Sequence, residues 1–139
     1  MLSSVGLFSR GDKATAKLIH GLEWYTVNKD GKGCVMTTGP GSAPTPPDYL
    51  LMGLGACAGN GIKFLLDKNG IKYTKLEIEV NSDWEYKPQK RLDNIRIGVS
   101  TDAECDHEKL EKIVQQAEQG ICPIAGTLLH TPKIKSFLK

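Results

Sequence analysis

The stretch DYLLMGLGACAGNGIKFLLDK, residues 48–68, decides the fold. It is apolar nearly all round, as expected of a helix buried inside a fold rather than one lying on its surface. Glycines stand at 53, 55, 59 and 61, and each costs about 1 kcal/mol relative to alanine in a helix interior. Close backbone approach to neighbouring elements must offset them. The length also suits a membrane span, but Asn60 and Lys63 interrupt the apolar run and no basic cluster flanks it. A core helix is the reading that follows.

Working upstream, Gly39-Pro40-Gly41-Ser42-Ala43-Pro44-Thr45-Pro46-Pro47 excludes regular structure and delivers the chain to a helix start. Thr45 followed three residues later by Asp48 is a capping-box signature, so the central helix is expected over 46–69. Earlier still, LIHGLEWYTV and GKGCVMTT flank the turn Asn28-Lys29-Asp30-Gly31, which predicts hairpin strands within 13–38. Downstream, Gly70 stops the helix. Alternating Leu76, Ile78, Val80 and then Ile95, Ile97, Val99 predict two strands within 73–100, joined by the polar loop NSDWEYKPQKRLDN. HEKLEKIVQQAEQ carries Leu110, Ile113, Val114 and Ala117 at helical spacing behind an Asp106 N-cap, and a short helix follows Cys122-Pro123. Helices are thus expected across 106–130, with a last strand, KIKSFL, at 133–138.

This order describes one α+β domain spanning 1–139, with antiparallel sheets and a long buried central helix. A single chain of 139 residues has few elements with which to cover such a helix, and dimerisation would solve that. The composition, 40% hydrophobic and 24% charged, is that of a globular protein, and it excludes disordered and fibrous classes. Lys+Arg number 18 against 16 Asp+Glu, interspersed along the chain, so no electrostatic argument supports nucleic-acid or membrane binding. The opening MLSSVGLFSRGDK has too short an apolar run for a secretory signal, which points to a reducing cytoplasm.

Cysteines in that compartment are either inert core residues or redox chemistry. Cys34, Cys57, Cys105 and Cys122 form no CxxC and have no zinc-like histidine spacing, so no metal is expected. Cys57 lies mid-helix among Leu50, Gly53, Leu54, Asn60 and Gly61, an apolar setting that disfavours a thiolate unless a cation compensates, so by position alone it reads as an inert buried cysteine. Cys122 precedes a proline at a helix start, where free N–H groups favour a thiolate; a small apolar cap residue is the other reading. Cys34 in a strand and Cys105 in a polar turn read as bystanders. His20, His107 and His130 stand far apart, and none is selected as a base.

The run Pro46-Pro47-Asp48-Tyr49-Leu50-Leu51-Met52-Gly53-Leu54-Gly55-Ala56-Cys57, with Cys122-Pro123-Ile124 much later, resembles the OsmC/Ohr family. The resemblance implies an OsmC-like intertwined homodimer with the cysteine helix at its centre. It further implies a thiol-dependent peroxidase acting on organic hydroperoxides, with no cofactor but with an external dithiol or lipoyl-type reductant. By the same resemblance Cys57 matches the peroxidatic cysteine, Cys122 the resolving one, and Asp48 the acidic partner. Asp48 stands nine residues before Cys57, however, where that branch of the family spaces its acid by ten. Nine steps of 100° reach the opposite side of a helix, so the capping-box role stays open for Asp48. Peroxidase members also hold an arginine before the cysteine helix. The arginines here are Arg10, Arg91 and Arg96, none close before Pro46. Two alternatives follow: an OsmC-like protein that binds a small apolar or acyl ligand in a dimer cavity, and a thiol redox sensor. On the peroxidase reading the helix and Trp24, Phe64 or Trp84 are candidate apolar walls, suited to a fatty or aromatic hydroperoxide.

Overall fold

The computed structural model describes residues 12–139. The elements run β1 (Ala14–His20), β2 (Glu23–Asn28), β3 (Gly33–Thr37), α1 (Pro46–Lys68), β4 (Leu76–Glu85), β5 (Arg91–Thr101), α2 (His107–Gly120) and α3 (Pro123–Leu129). This is an α+β chain with antiparallel sheets, as expected. It separates into two compact units, the division falling between Tyr49 and Leu50.

The first unit is the antiparallel meander β1-β2-β3. LIHGLEWYTV is therefore two strands rather than one, broken at Gly21, whose φ of +53° lies in the left-handed region that glycine tolerates. The turn at Asn28 forms as read: its side-chain oxygen accepts from Asp30 N at 2.9 Å and Lys32 N at 3.0 Å. Gly33 is obligatory for packing, because a Cβ there would lie 2.3 Å from the Thr26 carbonyl oxygen. Of the described residues in this unit, Thr37 alone is buried. Leu18, Ile19 and Leu22 stay half exposed or more, so the strands present apolar side chains without a core of their own.

The capping box opens α1 as predicted. Thr45 N donates to Asp48 Oδ2 at 2.9 Å and Asp48 N to Thr45 Oγ1 at 3.3 Å. The helix ends in a Schellman motif at Gly70 (φ +65°), where Ile71 N donates to Leu66 O and Gly70 N to Asp67 O, both at 3.0 Å. Within the second unit the helical glycines are contact points. A Cβ on Gly55 would sit 3.2 Å from Val80, one on Gly59 3.2 Å from Ile78, and one on Gly61 3.3 Å from Ala117 and Ile121. By length and composition α1 could cross a membrane, yet this face is occupied by β4 and α2. Ile62, Leu65, Leu66, Ile71, Ile113 and Ala117 form the main core, with the apolar faces of β4 and β5 against it.

Two expectations are corrected. The loop NSDWEYKPQKRLDN is mostly strand: β4 and β5 continue through Asp83↔Asp93, Trp84↔Leu92 and Glu85↔Arg91 past an irregularity at Asn81 to Asp83. Alternation fails there because neither face is buried. The ladder rests instead on backbone pairing and on ion pairs such as Arg96 with Asp83 at 3.1 Å. The strand expected at 133–138 is not formed, and 131–139 carry no regular structure. A strand needs a ladder partner, and among the described residues that segment has none; Ile134, Phe137 and Leu138 are exposed.

Asp102 ties the two ends of this hairpin to the chain leaving α1. It accepts from Thr74 N at 2.9 Å, Lys75 N at 2.8 Å and the Thr74 hydroxyl. The Thr74 hydroxyl first, and then the two backbone donors, hold its carboxyl down at about 2. A carboxyl depressed in the folded state stabilises the fold above its unfolded value and loses that contribution as pH falls through the folded one. We expect Asp102→Asn to flatten the loss of stability between about pH 4 and pH 2, read by urea denaturation across that range. An unchanged acid limb would refute this role.

Candidate functional site

Cys57 and Cys122 are brought together. Cys122, Leu54 and Ala125 form a second, smaller buried cluster, and Cys57 packs against it with Val80, Ile95, Ile97 and Ile124. Helix α1 places Cys57 there through its glycine-rich approach to β4, and the end of α2 places Cys122. The Cys122 N–H donates to Ala117 O at 2.9 Å, and its side chain then caps α3, Sγ accepting from Ala125 N at 3.4 Å. Both thiols are free.

The electrostatics bear on a choice that the sequence left open at Cys122. A helix start was expected to favour a Cys122 thiolate, and the Ala125 N–H does act in that direction. Cys122 is only 3% exposed, however. Burial, and after it the Cys57 thiol beside it, hold the Cys122 thiol above its ordinary range. The seven-residue α3 contributes too weak a field to overcome that. Cys122 is thus a protonated thiol at neutral pH, next to a more accessible Cys57.

The remaining sequence candidates stand elsewhere. Asp48 is committed to its capping box, where the backbone and hydroxyl of Thr45 keep its carboxyl ionised below the usual range. Arg91 pairs with Asp93 at 3.0 Å and Arg96 with Asp83 at 3.1 Å, and Arg10 lies outside the described residues. Cys34 Sγ lies 3.3 Å from Thr26 Oγ1 in the meander, and Cys105 packs on the main core. His20 and His107 pair with Glu23 and Glu111, while a ring nitrogen of His130 lies 3.0 Å from Gly126 O. Phe64 is 56% exposed, and Trp84, 46% exposed, lies under Lys90 Nζ at 4.8 Å from its ring centre. Neither Phe64 nor Trp84 belongs to the thiol cluster.

Sequence reading missed Ala125, whose N–H meets the Cys122 sulfur. The N-cap rule of i to i+3 bonding could have found it. It also missed the cavity beside the cluster, lined by Leu54, Ala125 and Leu128 with Asp93, Asn94 and Glu118. No local signal marks residues that converge from four separate elements.

Chemically, two free thiols in one apolar cluster can interconvert with a disulfide. The pattern of one protein family, described as OsmC-like protein, matches residues 39–137. Among solved structures the chain is similar to an OsmC like protein from Mycoplasma pneumoniae, at 17% identity over 88% of this chain and 89% of that one, with a TM-score of 0.78. It is similar also to the organic hydroperoxide resistance protein OhrB of Bacillus subtilis, at 18% identity over 87% and 92%, with a TM-score of 0.63. An organic hydroperoxide resistance protein OsmC from Legionella pneumophila shows 18% identity over 86% and 90%, with a TM-score of 0.61. At these identities the likeness is one of fold. No curated protein matches the chain.

Proposed function

The chain belongs to the OsmC-like family, and from that premise we propose that it is a thiol-dependent peroxidase reducing organic hydroperoxides. The observation that carries the reading is the packing of Cys57 and Cys122, sixty-five residues apart in the chain, into one buried cluster. In the first step the Cys57 thiolate attacks the outer oxygen of R–O–O–H. The O–O bond breaks, R–O⁻ takes a proton and leaves as the alcohol, and Cys57 becomes a sulfenic acid. In the second step the Cys122 sulfur displaces hydroxide from that sulfenic acid, forming the disulfide and water. An external dithiol, of lipoyl or similar type, returns both thiols by exchange and is itself oxidised. The reaction as written uses no metal or organic cofactor, and a reducing cytoplasm is the compartment that suits it.

The working form on this reading is a homodimer. The exposed Leu18, Ile19 and Leu22 of the meander and Phe64 of α1 are apolar surface that a second copy would cover. An alternative reading, an OsmC-like protein that only binds an apolar ligand, is favoured by one observation: Arg91 and Arg96 are both engaged by aspartates and leave no arginine for Cys57 among the described residues.

The test is addition of one equivalent of cumene hydroperoxide to the reduced protein, followed by intact mass and thiol mapping. We expect loss of two hydrogens and a Cys57–Cys122 linkage within seconds. Thiols unchanged after minutes would remove the peroxidase reading and leave the ligand-binding one. Sedimentation of the same sample should show a dimer at micromolar concentration, and a well-folded monomer would contradict the assembly.

A further inference from the structure

A cavity of about 480 Å³ opens beside the thiol pair within the second unit. That volume accommodates a small organic molecule. Its walls are mostly apolar, and two of them, Leu54 and Ala125, are the buried residues packed with Cys122 and Cys57. A molecule lodged there is one side chain away from the sulfurs. Its polar groups are Asp93, Asn94 and Glu118, and no Lys, Arg or His among the described residues lines it. Asp93 is offset by Arg91 at 3.0 Å, whereas none of the ion pairs among the described residues involves Glu118.

A negative rim on an apolar cavity repels a ligand whose polar end is an anion and is indifferent to one whose polar end is neutral. We infer that this cavity receives the organic part of the substrate, and that Glu118 on its rim selects neutral alkyl or aryl hydroperoxides over those bearing a free carboxylate. The inference rests on the peroxidase reading for the word substrate. The charge preference of the cavity itself is measurable without turnover.

The experiment therefore has a binding arm and a reaction arm. In the first, 1-nonanol and nonanoate, equal in chain length and different in charge, are titrated calorimetrically into the reduced protein at pH 7. Nonanol is expected to bind at least about tenfold more tightly, a difference of about 1.4 kcal/mol. Any apolar pocket disfavours a carboxylate, so Glu118 is tested separately: Glu118→Gln is expected to narrow the gap about threefold and Glu118→Lys to close or invert it. Leu128→Trp, which fills the cavity from α3, is expected to weaken nonanol binding tenfold or more. Equal binding of the two ligands by the parent, an unchanged gap in both Glu118 variants, or no binding of either ligand overturns the inference. In the reaction arm, linoleic acid hydroperoxide and its methyl ester are compared as oxidants of the thiol pair, with the ester expected to be faster. Nonanol binding with the stated charge preference, but no reaction with any hydroperoxide, would sink the peroxidase reading and leave the cavity's selectivity standing.

Discussion

Replacing Cys57 by serine is expected to reduce hydroperoxide consumption to the uncatalysed background, because a serine hydroxyl carries no appreciable anion at neutral pH and cannot take the sulfenic oxidation state. Replacing Cys122 by serine is expected to have a different signature. One equivalent of hydroperoxide is consumed, and the protein then stalls with a Cys57 sulfenic acid that dimedone traps and mass spectrometry locates. The two outcomes differ because the cysteines play unequal parts. Cys57 is the more accessible of the pair, whereas Cys122 is 3% exposed and held protonated by burial. Continued turnover at the parental rate in both variants would rule out the two-cysteine mechanism. Background consumption in Cys57→Ser with full turnover in Cys122→Ser would instead show that the Cys57 sulfenic acid is reduced without Cys122, by the external dithiol or by another thiol of the chain.

The second large effect concerns stability. Leu66 is fully enclosed between α1, α2 and the strand hairpin, with 0% exposure. Truncating it to alanine removes three buried carbons and leaves a cavity that neighbours fill only in part. A loss of about 3 kcal/mol is expected, within the range of about 2 to 5 seen for such changes. The measurement is the urea midpoint at constant m-value. Phe64, two residues earlier and 56% exposed, is the internal control: Phe64→Ala in a monomer should cost no more than about 0.5 kcal/mol. A larger, concentration-dependent cost at Phe64 would place that side chain in a subunit interface. A loss below about 1 kcal/mol at Leu66 would mean that the core is not where the structure puts it.

Much of the fold was legible because its signals are local. The capping box at Thr45 and Asp48, the Asn28 turn, the Asp106 cap on Lys109 N at 2.8 Å and the Gly70 stop each depend on residues within a few positions of one another. The glycines of α1 could be read as contact points, since their helical cost demands compensation, although the sequence did not say that Val80, Ile78 and Ala117 supply it. What failed was equally physical. The β4-β5 hairpin extends beyond its apolar alternation because backbone pairing does not require a buried face. The segment 133–138, read as a last strand, forms none, because a strand is a property of two segments.

The candidate site divides the same way. The sequence by itself determined that the chain is α+β, that a glycine-rich apolar helix carries Cys57, and that Cys122 stands just before Pro123 at the start of a short helix, because each of these follows from composition, period and capping over short spans. Only the tertiary structure decided that the two cysteines pack together, that burial holds the Cys122 thiol above its ordinary range, and that an acid-rimmed cavity adjoins the thiols. These depend on burial and on the convergence of elements distant in the chain. Desolvation of a thiol is set by everything packed around it, and no window of sequence contains that.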